Sequence, residues 1–163
     1  MLDSDFEIVQ GYVVGMIGDI IRLHADYYHK HWGLGLNLEV SIAHNLAEFF
    51  QNYDVSQDSI WSISREGRIV AAIIIDGSIE GKDEARLRFF IVHETLQGKG
   101  IGRRLIQTAI NFCDNKAFKR VTLKTFEGLD SARHLYESYG FSVYNQAIND
   151  GQELFYERHY PNK

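Results

Sequence analysis

The chain is 163 residues long, 45% hydrophobic and 13% aromatic, with a net charge of -5, one proline and one cysteine. That length suits one domain whose core needs neither disulfide nor metal, and Cys113 alone excludes an internal disulfide or a multi-cysteine zinc site. The acidic balance argues against general nucleic-acid binding, no apolar run reaches the span of a membrane helix, and the acidic start Met1-Leu-Asp-Ser-Asp-Phe-Glu lacks a leader's basic flank. The expectation is a single cytoplasmic domain over residues 1–163, with no nucleic-acid or membrane partner.

Residues 6–13 read as a short first strand. Ile17, Ile20, Ile21, His24, Tyr27, Tyr28 and His31 share one helical face, predicting a helix over 16–31. Gly33-Leu-Gly35 interrupts it, and Asn37 is the expected N-cap of a second helix carrying Ile42, Leu46, Phe49, Phe50 and Tyr53. The period then changes. Strands are predicted over 59–64, 69–75 and 85–93, joined by a tight turn at Arg65-Glu-Gly-Arg68 and by turn residues over 76–83, giving an antiparallel meander.

Ile101, Leu105, Ile106, Ala109, Ile110, Phe112 and Cys113 mark a long amphipathic helix, and 119–126 reads as a strand. Asp130-Ser131 open a helix that Gly140 ends, after which 141–147 and 153–160 pair as a hairpin through Asn149-Asp150-Gly151. The order β-α-α-β-β-β-α-β-α-β-β predicts an α/β (α+β) fold. Its sheet is mixed and mostly antiparallel, flanked by helices, with one parallel crossover around the 101–117 helix.

The segment with chemistry in it is Gln97-Gly98-Lys99-Gly100-Ile101-Gly102-Arg103-Arg104, where a strand runs through glycines into a helix. Such a turn leaves backbone N–H groups unpaired at the positive end of a helix dipole, which suits a phosphate. Lys99 and Arg103 add charge-assisted contacts. The dinucleotide fingerprint fails because Arg103 and Leu105 stand where its last glycine is needed. A Walker loop fails because Gly100, not Ser or Thr, follows Lys99.

Gln97-x-x-Gly100-x-Gly102 resembles the acyl-CoA pyrophosphate loop of the GNAT superfamily of N-acetyltransferases. A second block, Ala132-x-x-Leu135-Tyr136 followed by Gly140-Phe141, resembles that superfamily's other hallmark, in the right order and spacing. One departure is Leu129, where the family often has an asparagine that touches the cofactor. More finely, Thr125 to Tyr136, with Gly18 to Tyr28, is similar to the acetyltransferase domain fused to MarR-type regulators in bacteria.

The resemblance implies acetyl-CoA as co-substrate, no metal, and a small-molecule or protein amine as acceptor. It implies a cofactor site of Ile91, Val92, Gln97, Gly98, Lys99, Gly100, Ile101, Gly102, Arg103 and Ala132. The pantetheine arm would pair with the backbone of Ile91 and Val92, and the amine would attack directly. Tyr136, which periodicity alone reads as a core tyrosine, would donate a proton to the departing thiolate. The strand before the loop carries Arg86 and Arg88 where relatives often carry a glutamate base. Glu39, His24, His31 and His44 on the first two helices are therefore the candidate bases, Glu39 foremost. The two arginines hint at an anionic acceptor, or are simply solvated. The alternative is a non-catalytic acyl-CoA-binding sensor or interaction module, and the closing strands could serve a homodimer.

Overall fold

The computed structural model describes residues 6–78, 83–126, 128–147 and 153–161. Its elements are β1 (Val9–Gln10), α1 (Met16–Trp32), α2 (Leu36–Gln51), β2 (Ser59–Arg65), β3 (Arg68–Asp76), β4 (Glu84–Val92), α3 (Ile101–Asp114), β5 (Arg120–Phe126), α4 (Asp130–Ser138), β6 (Ser142–Ala147) and β7 (Glu153–His159). The described strands make one seven-stranded sheet in the order β1-β2-β3-β4-β5-β7-β6. Every neighbouring pair is antiparallel except β4 and β5, which are parallel and joined by the α3 crossover. The expected class, meander and crossover are all present.

Alternation along the strands sorts the core onto two faces. Ile63, Ile73, Leu87 and Leu123 pack with Leu105 and Ile106 of α3. Ile60, Ala72 and Ile74 point the other way, onto Met16 and Ile20 of α1 and Leu46 and Phe49 of α2. Cys113 is fully buried in the larger core, and Trp61 packs edge-on against Phe112. The β2–β3 hairpin turns on Glu66 and Gly67, with φ of 52° and 77°, the positive pair that a two-residue turn of matching twist requires.

Two buried carboxylates tie elements together. Asp19 of α1 accepts from Arg68 Nε at 2.8 Å and from the Ile69 backbone N–H at 2.9 Å, fixing α1 to the start of β3. Asp58 accepts from the backbone N–H groups of Asp54 and Gly77, at 2.8 and 2.7 Å, joining the two ends of the β2–β3 hairpin's base. Each would leave a buried donor unsatisfied if removed.

Two local expectations need correction. The first strand is only Val9–Gln10, because Gly11 takes a φ of 99° and turns the chain out of the ladder. Asn37 is not an N-cap: α2 already starts at Leu36, after Gly35, so Asn37 lies inside its first turn. A 310 turn, Glu94–Leu96, follows β4, with the His93 ring accepting from the Thr95 N–H. The expected turn at 149–151 lies outside the described residues.

Candidate functional site

The sheet opens where its only parallel pair should continue. β4 and β5 pair at Glu84–Arg120, Ala85–Val121 and Arg86–Thr122 and no further. Yet β4 runs on to Val92 and β5 to Phe126. Between the parted strands lies a cleft of about 670 Å³.

A bulge causes the parting. Ala72 pairs with Ile91 and Ile74 with Arg88, so Phe89 and Phe90 together stand opposite Ile73. Phe89 has a φ of 51°, a conformation bulky side chains rarely adopt. An extra residue of this kind bends its strand and ends pairing beside it. From Leu87 onward, one edge of β4 therefore has its backbone N–H and C=O groups turned toward the cleft, with no strand to meet them.

Helix α1 straps the opening. His24 lies edge-on to Phe89 of β4, ring centroids 5.9 Å apart, and Tyr28 lies edge-on to Phe126 of β5 at 5.5 Å. The two rings are one helical turn apart and stack on each other at 6.4 Å. The Nδ1–H of His24 donates to the Ile20 carbonyl at 2.8 Å, which leaves Nε2 as the basic nitrogen on a residue that lines the cleft. Burial lowers the pKa of His24 to about 4 and raises that of Tyr28 to about 12, so both rings are neutral across the ordinary range.

At the far end of β4 the glycine loop has the backbone geometry of an anion cradle. Gly98 and Gly100 have φ of 77° and 80°, and a Cβ on either would meet open space. The consecutive backbone N–H groups of Gly98, Lys99, Gly100, Ile101, Gly102 and Arg103 find no acceptor among the described residues; the first bond into α3 is Arg104 N–H to the Gly100 carbonyl. Alternating left- and right-handed residues at a helix start aim such groups at one point. Gly102 serves packing instead: its Cβ would stand 3.4 Å from the Phe90 ring. These features fit the pyrophosphate of a CoA-type ligand.

Several expected residues come together on the cleft walls: Ile91, Val92, Gln97, Gly98, Gly100, Gly102, Arg103, Ala132 and Tyr136. Gln97 is turned inward, its side-chain amide donating to the Val92 carbonyl at 3.1 Å, so it braces the loop against the strand. Lys99 is exposed and outside the lining, and the Ile101 side chain is buried in the larger core, leaving only its backbone toward the loop. Glu39 is exposed and outside the lining too, as are His31 and His44; of the candidate bases only His24 is on the wall.

Tyr136 is both core and wall. Its ring is 6.1 Å from Phe90 and 6.2 Å from Phe141, and burial pushes its hydroxyl well above the usual tyrosine pKa. That hydroxyl makes no hydrogen bond among the described residues. Leu129, where the family motif has asparagine, precedes α4 and gives it no side-chain cap. Among the described residues no cluster of three or more His, Cys, Asp or Glu could hold a metal ion, and no helix is long and apolar enough to cross a membrane.

The family model for the acetyltransferase (GNAT) family matches residues 17–141, a stretch that includes the strap, the bulge, the loop and Tyr136. The chain belongs to the GNAT acetyltransferase family. Among similar proteins, "Probable N-acetyltransferase camello" of Xenopus tropicalis is 24% identical over 80% of this chain and 60% of its own length. "Uncharacterized N-acetyltransferase YjgM" of Escherichia coli K12 is 29% identical over 64% of this chain and 63% of its own. The chain thus spans a little under two thirds of these curated relatives. A GNAT-family acetyltransferase of Staphylococcus aureus Mu50 superposes with a TM-score of 0.77 at 18% identity, over 94% of this chain and 98% of that one. An acetyltransferase of Streptococcus agalactiae gives 0.75 at 17% identity, over 95% and 98%. At such identities the likeness is one of fold.

Proposed function

We propose that this protein is a single-domain N-acetyltransferase that moves an acetyl group from acetyl-CoA to a primary amine by direct attack in a ternary complex. The observation that carries the reading is the run of unpaired N–H groups from Gly98 to Arg103, set at the end of a strand whose open edge faces the same cleft. When bound, acetyl-CoA supplies the activated acyl group. The loop N–H groups and Arg103 bind its phosphates, and the exposed edge of β4 at Ile91 and Val92 orients the arm and offers hydrogen bonds to the carbonyl under attack.

Tyr136 donates a hydrogen bond to the departing sulfur. Because its hydroxyl holds its proton so firmly, it stabilises the thiolate as a donor rather than surrendering the proton outright. Neutral His24 offers Nε2 to the incoming amine. A ring of pKa about 4 cannot strip an alkylammonium of pKa near 10, so His24 orients the amine and the proton leaves through water. Glu39, exposed and off the wall, takes no part in this chemistry.

The closer kinship to the acetyltransferase domain of MarR-type regulators rests on residues 125–136. A cytoplasmic setting accords with the acidic composition, and a homodimer would use edge strand β6, where Val143 and Tyr144 are exposed. Calorimetric titration with acetyl-CoA, beside NADH and ATP, tests the cofactor. Micromolar binding of acetyl-CoA alone, followed by thiol release with some amine, is the expected result. No heat with acetyl-CoA sinks the assignment, and binding without turnover across a broad amine panel makes the protein an acyl-CoA sensor.

A further inference from the structure

The cleft has a second cationic end. Arg86 and Arg88 point to the same side of β4 as each other, opposite to Ala85 and Leu87, which face the larger core. That side is the one on which α1 and α2 pack. Arg88 is committed: its guanidinium donates to Asp76 at 2.9 Å, and the pair is nearly buried.

Arg86 has no such partner among the described residues. The acid directly across the ladder is Asp76, but that carboxylate is held by Arg88 on one oxygen and by the Ser78 N–H and hydroxyl on the other. The acid two residues back, Glu84, pairs with Arg120, which also holds Glu157. From α2, exposed Glu48 is engaged by His44 at 3.7 Å. Among the described residues the Arg86 guanidinium has no hydrogen bond or ion pair, although the residue is only half exposed and lines the cleft. A partly desolvated guanidinium beside a second one, with a full set of donors to spare, is a site waiting for an oxyanion.

The CoA phosphates do not account for it. Their cradle starts at Gly98, beyond the other end of β4, and the six residue steps from Arg86 to Val92 already span roughly 20 Å. Opposite the strand, Ser41 and Asn45 of α2 also line the cleft, and their side chains have no partner among the described residues. The acceptor half thus offers one spare cation and two uncharged polar groups, under the neutral rings of His24 and Tyr28.

We propose that the acceptor is an amine that also carries an oxyanion, a carboxylate or a phosphate, and that Arg86 binds this group and sets acceptor specificity. The inference rests on the acetyltransferase reading above. The test measures kcat/KM for acetyl transfer with matched amines: β-alanine against β-alaninamide, and O-phosphoethanolamine against ethanolamine. At least one anionic member is expected to exceed its neutral partner tenfold or more, and the pair in which it does so tells carboxylate from phosphate. In Arg86→Gln that ratio falls to near one, Arg86→Lys restores part of it, and calorimetric acetyl-CoA affinity stays within twofold for both variants. Equal use of neutral and anionic amines, or a ratio untouched in Arg86→Gln, overturns the inference alone. Absence of acetyl-CoA binding by the native protein overturns the acetyltransferase reading and takes this one with it.

Discussion

Tyr28 on α1 and Phe126 on β5 meet edge-on, ring centroids 5.5 Å apart, across a gap that no backbone hydrogen bond spans. One turn earlier, His24 does the same to Phe89 on β4. A single helix therefore holds two strands that have parted from each other. The helix side of the cleft takes its shape from ring contacts rather than from the sheet.

His24 makes that shape sensitive to acid. The unfolded ring binds its proton near pH 6.5, the folded one only near 4, so the unfolded state takes up more protons between those values. Stability is full above pH 6.5 and falls as pH drops toward 4, by on the order of 3 kcal/mol over the whole window. His24→Gln removes this dependence. Thermal melts of both proteins from pH 7 to 4.5 should show a smaller loss of Tm in the variant; parallel curves would mean that His24 charges in place.

With His24 too weakly basic to take the amine's proton, the reaction depends on the fraction of acceptor already deprotonated. kcat/KM should climb close to tenfold per pH unit from pH 6 to 8.5 with a simple alkylamine of pKa about 10. A plateau near pH 7 would reveal a titrating base.

Tyr136→Phe removes one hydroxyl that no described residue bonds. Turnover should fall about a hundredfold, the lower end of the range for a lost acid or donor, while acetyl-CoA affinity and Tm stay close to native. Steady-state rates and calorimetry on the same preparation separate the two effects. An unchanged kcat would remove the hydroxyl from the chemistry.

Gly100 has φ of 80° and open space where a Cβ would go. Gly100→Leu should cost about 1–2 kcal/mol of stability for the left-handed backbone, and weaken acetyl-CoA binding far more, by tenfold or beyond, because the side chain enters the anion cradle. Equal binding by variant and native protein would mean the cradle lies elsewhere.

Gly77 gives the contrasting case. An added Cβ would overlap the Gln57 carbonyl oxygen and stand 2.8 Å from the Phe118 ring, and backbone cannot yield as a side chain does. Gly77→Ala should lower stability by about 1–3 kcal/mol in urea melts, with no change in acetyl-CoA affinity of the folded fraction.

The elements and the glycine loop were legible because each has a local signature: apolar residues at helical or strand spacing, and glycines ahead of an amphipathic helix. The cleft itself has no local signature of that kind. Its cause is the bulge at Phe89–Phe90, where a phenylalanine takes a conformation usually marked by glycine, so Arg88-Phe89-Phe90-Ile91 reads as plain strand. The helical wall of the cleft was hidden for another reason. On α2 it is Leu38, Ser41, Ile42 and Asn45, a true helical stripe whose two polar members mask it from hydropathy. Glu39 has attractive chemistry but stands about 100° around the helix from Leu38. The periodicity of α1 did bring His24 and Tyr28 onto one face, though not which strand each would touch.

The bulge on β4 also makes the opening of the cleft a matter of counting. Remove either Phe89 or Phe90, and the remaining residues resume plain alternation with β3. The straightened strand could then zip to β5 along its whole length, turning an open-edged receptacle into an unbroken wall. The chain is one amino acid away from being a well-made sheet with nowhere to put a ligand.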